Sequence, residues 1–436
     1  MEQAAPPRGG RHLGLFPWGG VVEDFLAPIG VDRKVFAQGM TGGWLFGFVE
    51  ALRRQGVSTT VVCFSGDISQ PERHVNPATG FVTLFLPPSA LYRRLRRWPG
   101  DADDPKRPTF PRATHLFQDL VRYFATPSNA VAAAIRAEGC TAILTQEYEN
   151  PRFDVLIRLG HRLGLPLYAI FQGGPSPATA SERRIRRRTI HAAAGFIVAS
   201  RSEADRLGAT YGISPERIAP IPNPLDLDLW RPLSRVTCRQ ALNLPDSVRI
   251  VICHGRIDIL RKGLDLLLDA WRNLAGAHPA CDLRLHLIGS GQDDDRLAKE
   301  IARVPVPGLR WIRRYVTDRA EMRRELCAAD AYVLPSRHEG FPVAPLEAMA
   351  CGLPIVAANA PGVSDILPGG EADGGLLVPA GNAAALRVAL ERLLFEPGLR
   401  DRLAARARPR VAGFCSLDAV GASLATFLTA TNRRSK

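Results

Sequence analysis

The sequence predicts an α/β protein built from two doubly wound parallel sheets, and three observations carry that expectation. Short β-branched apolar runs recur along the 436 residues, separated by longer helical patterns, as parallel strands covered on both faces require. The same strand-helix grammar occurs twice. The length, at roughly 150 residues per domain, suits two or three domains.

In order, the strand-like runs are VSTTVVCF at 57–64, TAILTQ at 141–146, LYAIF at 167–171, GFIVAS at 195–200, RIVICHG at 249–255, LRLHLIG at 283–289 and AYVLPS at 331–336. A helix is expected over 200–212. The chain then reads RIAPIPNPLDLDLWRP, where Pro220, Pro222, Pro224 and Pro232 forbid regular helix and favour extended backbone. The interdomain crossing is therefore placed near 223–232, giving a first domain over 1–224 and a second over 225–415. Residues 71–111 lack clear periodicity and read as an insertion or mobile loop of the first domain. A last helical pattern over 416–431, within a terminal segment 416–436, is free to return to the first domain.

Composition narrows the function. Hydrophobic residues make up 46% and charged residues 23%, which is ordinary globular content. No uncharged apolar stretch reaches the roughly 18 to 20 residues of a membrane-spanning helix. The opening MEQAAPPRGGRHLGLF has no run long enough for a secretory leader, so the expectation is a cytoplasmic chain. Eight cysteines are scattered without a C-x-x-C pair, against both a zinc site and a disulfide framework. The net charge of +13 is spread evenly along the chain, which speaks against a nucleic-acid partner. Lysine supplies five of the 56 basic residues, so a lysine beside a strand end carries more information than an arginine.

In open parallel sheets ligands bind outside the carboxyl ends of the strands. The most informative stretch is 331–359, where a strand ends in SRHEGFP and a helix is expected from about Val343 to Cys351 before Gly352 and Pro354 stop it. Glu339 precedes this helix and Glu347 lies within it. Gly340 lets the backbone approach a ligand, and free N–H groups at a helix start attract anions. Apart from these two glutamates, residues 339–356 carry no charge. Acids retained in a buried-looking segment have a use, although the same pair also reads as a solvated helix face. The second stretch, 251–271, runs a strand into Gly255 and Arg256, with Lys262 in the loop that follows. A guanidinium and an ammonium at one strand end suit a diphosphate, or else form a charged loop that stays wet.

HEGFPVAPLEAMACGLPIVAAN, GRIDILRKGLDLLLDAW, LIGSGQ, AYVLPSR, IPNPLD and GFIVASRSEADRL together closely resemble retaining GT-B glycosyltransferases of the large family 4 type, the glycosyl transferases group 1. The resemblance is strong over the second half and implies two Rossmann-like domains facing a cleft, the first binding the acceptor and the second a nucleotide sugar. It implies that Glu339 contacts donor-sugar hydroxyls, Glu347 the ribose, and Arg256 and Lys262 the diphosphate. Backbone N–H groups along the stretch Gly340, Phe341, Pro342, Val343 would complete the phosphate and sugar contacts. Tyr315 and Val316 fall where the base lodges, and Arg313 stands where a glycine is common. Gly42 and Gly43, in TGGWLFGFVEALRRQG, fall near the donor phosphates. Gln172 and Gly173 replace the His-Gly of many members, so no proton is taken at that position.

The implied reaction builds charge on a leaving diphosphate, which fixed cations stabilise. The acceptor hydroxyl arrives on the face the diphosphate leaves, and the diphosphate oxygen takes its proton. No cofactor and no metal is then required, with the nucleotide-diphosphate sugar as substrate. Asp293, Asp294 and Asp295 resemble a metal-binding Asp-x-Asp, but their place at a helix start favours capping. Glu147, Tyr148 and Glu149 follow a strand and read either as acceptor-binding residues, with Gln172, or as ordinary loop. ERRIRRRTIH at 182–191 reads either as a basic helix touching an anionic membrane at the inner face or as a solvated surface. The acceptor, whether polysaccharide, lipid or small molecule, is not encoded in any residue type. Two alternatives stand beside a transferase: a nucleotide-sugar epimerase of the same architecture, and a catalytically silent membrane-associated binding protein.

Overall fold

Successive strand residues point to opposite faces, and in this chain both faces are apolar, so each sheet is sandwiched between two cores. In the computed structural model, which describes residues 10–96, 121–174 and 180–434, Val61 and Cys63 face one core while Val62 and Phe64 face the other. In the second sheet Ile250 and Ile252 face one core, and Val251 and Cys253 the other.

The first sheet contains β1 (His12–Phe16), β2 (Ser58–Phe64), β3 (Glu72–Val75), β4 (Val82–Leu86), β5 (Ala142–Gln146), β6 (Leu167–Ile170), β7 (Gly195–Val198) and β8 (Ile218–Pro220). Its order is β3-β4-β2-β1-β5-β6-β7-β8, with β3 alone antiparallel. The second contains β9 (Arg249–His254), β10 (Leu283–Ile288), β11 (Leu309–Ile312), β12 (Ala331–Leu334), β13 (Ile355–Ala358) and β14 (Gly375–Val378), all parallel in the order β11-β10-β9-β12-β13-β14. These are the two doubly wound sheets expected from the sequence.

All seven apolar runs are strands, but both sheets are wider than they indicated, with eight strands against four runs in the first and six against three in the second. β1 lies at its centre, although the apolar run at 12–16 is short and interrupted by Gly14. Residues 71–96, expected as part of an irregular insertion, instead form β3, β4 and a helix Ala90–Arg96. For β3 the physical reason is that it is an edge strand with an alternately exposed face, which leaves no continuous apolar signal, whereas β4 is an apolar run, VTLFL, with four of its five residues buried. The rest of that stretch, 97–111, lies outside the described residues.

The crossing between sheets is braced from behind. Leu225 donates its N–H to Cys415 O at 2.7 Å and bridges Ser416, so outgoing and returning chain run side by side. Arg408 donates to the carbonyls of Leu227, Trp230 and Ala350. The terminal helix Leu417–Arg434 then packs on the helix Gly43–Arg54 of the first domain: Leu417, Val420, Leu424 and Leu428 join its core. A Cβ at Gly421 would sit 2.4 Å from Ala51 O, so only glycine permits this approach. All eight cysteines are free, seven of them buried, and burial pushes the Cys253 thiol up to about 12. No described helix is long and apolar enough to cross a membrane.

Candidate active site

β9 and β12 are neighbours in the second sheet, so the loops that follow them meet. After β9, Asp258 caps the short helix Ile259–Lys262 by accepting from Arg261 N at 3.1 Å. Gly263 ends it at φ 64°, and a Cβ there would lie 2.1 Å from Pro335 O. That close approach sets Lys262 against the loop after β12. Lys262 Nζ donates to Glu339 Oε1 at 2.7 Å and Oε2 at 3.0 Å, and Ser336 Oγ donates to Oε1 at 2.6 Å. The Glu339 carboxylate is buried yet has two donors, one cationic, as a buried charge needs. Arg337 reinforces the junction with two 2.7 Å contacts to Asp265.

The helix after Gly340 spans Ala344–Ala350, within the expected range, and carries Glu347 on its buried side. Glu347 Oε2 lies 2.9 Å from His254 Nε2. Arg256 makes no pair with either glutamate. It is exposed, and its guanidinium lies over the Phe25 ring of the first domain at 5.7 Å. Burial of part of the group and the nearby Arg261 cation hold its pKa below the ordinary arginine value, while Glu339 acts in the opposite sense. Thus Lys262 and Glu339 are brought into one pair, Glu347 into a second with His254, and Arg256 reaches from the same strand end toward the other domain.

The two domains touch at Gly340. A Cβ there would sit 2.7 Å from the Gln172 backbone, and Gly173, at φ 91°, packs against Gly340 Cα. Gln172 and Asn223 exchange amide hydrogen bonds of 2.8 and 3.0 Å, and Asn223 also donates to Phe341 O at 2.9 Å. Phe341 and Pro342 are buried, and Val343 is half-buried. Gly42 and Gly43 have positive φ at the start of Gly43–Arg54, and Arg319 of the second domain donates to Thr41 O at 2.9 Å. Burial opposes the Arg319 charge, but Tyr315 and Glu347 more than offset this, so its pKa is raised.

Tyr315 packs against the first-domain core and lines a cavity of about 520 Å³ between Pro28–Asp32 and the strand end at Ser290 and Arg313. Val316 points into the second-domain core. A larger cavity of about 650 Å³ lies beside β14, and none of the candidate site residues lines it. Asp293 Oδ2 accepts from Ile259 N and Asp294 Oδ1 from Gly291 N, each at 2.8 Å, while Arg313 pairs with Asp294 and Asp295. These aspartates brace loops; Asp293 is the N-cap residue but makes no side-chain cap bond. Among the described residues no three His, Cys, Asp or Glu side chains gather as a metal-ligand set.

On the first domain, Glu147 has φ 60°, a costly conformation for a non-glycine residue. Its Oε1 accepts from Gln172 N at 2.9 Å, and a Cβ on Gly174 would lie 2.7 Å from Oε2. Burial pushes its pKa up to about 7 against the hydrogen bonds from Gln172, Gln146 and Gly174. Glu149 is otherwise engaged: Arg206 holds both its oxygens, at 3.0 and 2.7 Å, and the Tyr211 hydroxyl donates to one. Tyr148 is fully buried with its hydroxyl on Glu203. His254, Ser336 and Arg319 escaped the sequence reading; the one available signal was a histidine closing a strand immediately before Gly255.

Known proteins support this architecture. The family model described as glycosyl transferases group 1 matches residues 248–396, and that of glycosyltransferase family 4 matches 44–229. D-inositol 3-phosphate glycosyltransferase 1 of Catenulispora acidiphila is 31% identical over 63% of this chain and 66% of its own. The D-inositol 3-phosphate glycosyltransferase of Streptomyces bingchenggensis is 33% identical over 57% and 55%, and that of Xylanimonas cellulosilytica 30% over 65% and 68%. The chain thus spans between about half and two thirds of these relatives' lengths. Sucrose-phosphate synthase from Thermosynechococcus elongatus superposes with a TM-score of 0.71 at 20% identity, covering 97% of this chain and 100% of that one. Anabaena HepE, solved in complex with UDP, superposes with a TM-score of 0.69 at 16% identity over 96% and 100%. With paired sheets of the GT-B type and matches along both halves, the chain belongs to the glycosyl transferases group 1 family.

Proposed function

We propose that the chain is a retaining glycosyltransferase that moves a sugar from a nucleoside diphosphate to an acceptor hydroxyl without a metal. The observation that carries this reading is the Lys262–Glu339 pair, buttressed by Ser336, beside Arg256 and Glu347 at the carboxyl ends of β9 and β12. As the anomeric carbon–oxygen bond breaks, negative charge grows on the diphosphate. Arg256 and Lys262 lower that cost. Glu339 would orient a donor-sugar hydroxyl and Glu347 the ribose, with Tyr315 at the base. The acceptor oxygen bonds to the anomeric carbon while its proton passes to the departing diphosphate oxygen.

The acceptor would enter from the first domain, past Glu147 and Gln172. Relatives are named for D-inositol 3-phosphate, so a phosphorylated polyol belongs in the acceptor panel. The test is nucleotide release from UDP-, GDP- and ADP-sugars with polyol, saccharide and lipid acceptors, in EDTA, with the product anomer read by NMR. Release with retained configuration is expected. No turnover of any donor would sink the reading, and isomerised donor without acceptor would point to the epimerase instead.

One further feature favours a lipid surface as a peripheral partner. On the helix Ala180–His191, Arg183, Arg184, Arg187 and Arg188 are exposed around Ile185, while Arg186 turns inward to Asp154. At about 1 kcal/mol per base near an anionic surface, salt-sensitive binding to phosphatidylglycerol vesicles is expected. Equal binding to neutral phosphatidylcholine vesicles would contradict it.

A further inference from the structure

β9 closes on His254, whose ring is held by two side chains and whose main chain by a third contact. Its Nε2 lies 2.9 Å from Glu347 Oε2, its face meets the Tyr332 ring edge-on at 5.4 Å and 74°, and its carbonyl accepts from the Tyr332 hydroxyl at 3.3 Å. The imidazole is 11% exposed and the Glu347 side chain 7%. Among the described residues, His254 is the one hydrogen-bond partner of the Glu347 carboxylate. Against a carboxylate oxygen the ring nitrogen is the donor, so the proton is on Nε2. Nδ1 is buried without a partner. The ring therefore serves Glu347 and nothing else by hydrogen bonding.

This matters because Glu347 sits on a seven-residue helix where, among the described residues, His254 gives it its one side-chain hydrogen bond, while the Arg319 cation acts on it only through its charge. A glutamate has three rotatable bonds, and ordering them on binding weakens the ligand contact that follows. We propose that His254 is a positioning residue for donor recognition: by donating Nε2–H to Oε2 it holds the Glu347 carboxylate so that Oε1 meets the ribose of the nucleoside diphosphate. The inference rests on the donor-binding reading above and deepens it. His254 touches no reacting atom; it acts through Glu347.

The test separates the ring from its hydrogen bond. His254→Phe keeps an aromatic face for Tyr332 and removes the donor, whereas His254→Gln keeps a donor at the reach of Nε2. His254→Phe is expected to raise the donor KM by about tenfold with kcat within about twofold, the pattern of lost ground-state and transition-state binding alike. His254→Gln should restore KM to within about threefold of wild type. In a Glu347→Gln background, His254→Phe should add less than about twofold, because the effect runs through that carboxylate. An unchanged KM in His254→Phe, or its full effect persisting beside Glu347→Gln, overturns the proposal. Wild-type protein that turns over no donor overturns the functional reading instead. In that case the ¹⁵N spectrum of His254 still decides the geometry: a proton on Nε2 that shifts in Glu347→Gln supports it, and a ring protonated only on Nδ1 overturns it.

Discussion

The two walls of the cleft are built on different principles. On the second domain, charge is concentrated at the ends of two adjacent strands and in the short helices that follow them, where Lys262 pairs with Glu339 and His254 with Glu347 within hydrogen-bond distance. On the first domain, most acids and bases near the strand ends are tied into internal networks: Glu149 and Glu203 to Arg206, Asp154 to Arg186. Glu147, Gln172 and the Gly42–Gly43 turn remain at the cleft. The contrast teaches that one wall gathers its charged side chains into pairs at adjacent strand ends, whereas the wall opposite is left to loop geometry.

The sharpest way to break this contrast is Lys262→Ala. It removes a cation from the proposed diphosphate site and leaves Glu339 buried with Ser336 alone, so kcat/KM should fall by about 100-fold or more. Unchanged kinetics would remove Lys262 from the site. The complementary change on the other wall is Arg206→Ala, which leaves the buried carboxylates of Glu149 and Glu203 with tyrosine hydroxyls but no cation. It should lower stability by about 2–4 kcal/mol, seen as a reduced Tm, while donor KM stays within about twofold. A kinetic loss with Tm preserved would show that this network reaches substrate.

How much of this was legible in the sequence follows the same division. β9, β10 and β12 announced themselves because strands buried on both faces read as unbroken apolar runs, and Gly255 marked where the chain leaves β9. Glu339 and Glu347 stood out as acids in an otherwise uncharged segment. β1 and β3 did not, the first interrupted by Gly14 and the second alternating exposed and half-buried at a sheet edge. His254 and Arg319 were invisible for another reason. Their partners, Glu347 and Thr41, lie 93 and 278 residues away, and spacing along a chain carries no trace of such a meeting.

Arg319 offers an intermediate test, since it ties the second wall to the carbonyl before Gly42. Arg319→Ala should raise donor KM by about three- to tenfold, with Arg319→Lys recovering part, because ammonium keeps charge but not the guanidinium fork. No change would make the contact incidental. The smallest effect concerns Glu147. Its folded pKa of about 7 lies above the ordinary glutamate value of 4.5, so the folded state binds the extra proton between those values. Its contribution to stability is therefore fully present below 4.5 and declines as pH rises through 7. Glu147→Gln should flatten that part of the Tm–pH profile; an unaltered slope would mean the carboxyl titrates normally.

The most direct measurement is a crystal structure with a nucleoside diphosphate bound. The account predicts diphosphate oxygens within about 3 Å of Arg256 and Lys262, ribose on Glu347, and the base against Tyr315. A nucleotide seated elsewhere, for instance in the cavity beside β14, with those side chains unmoved, would contradict it.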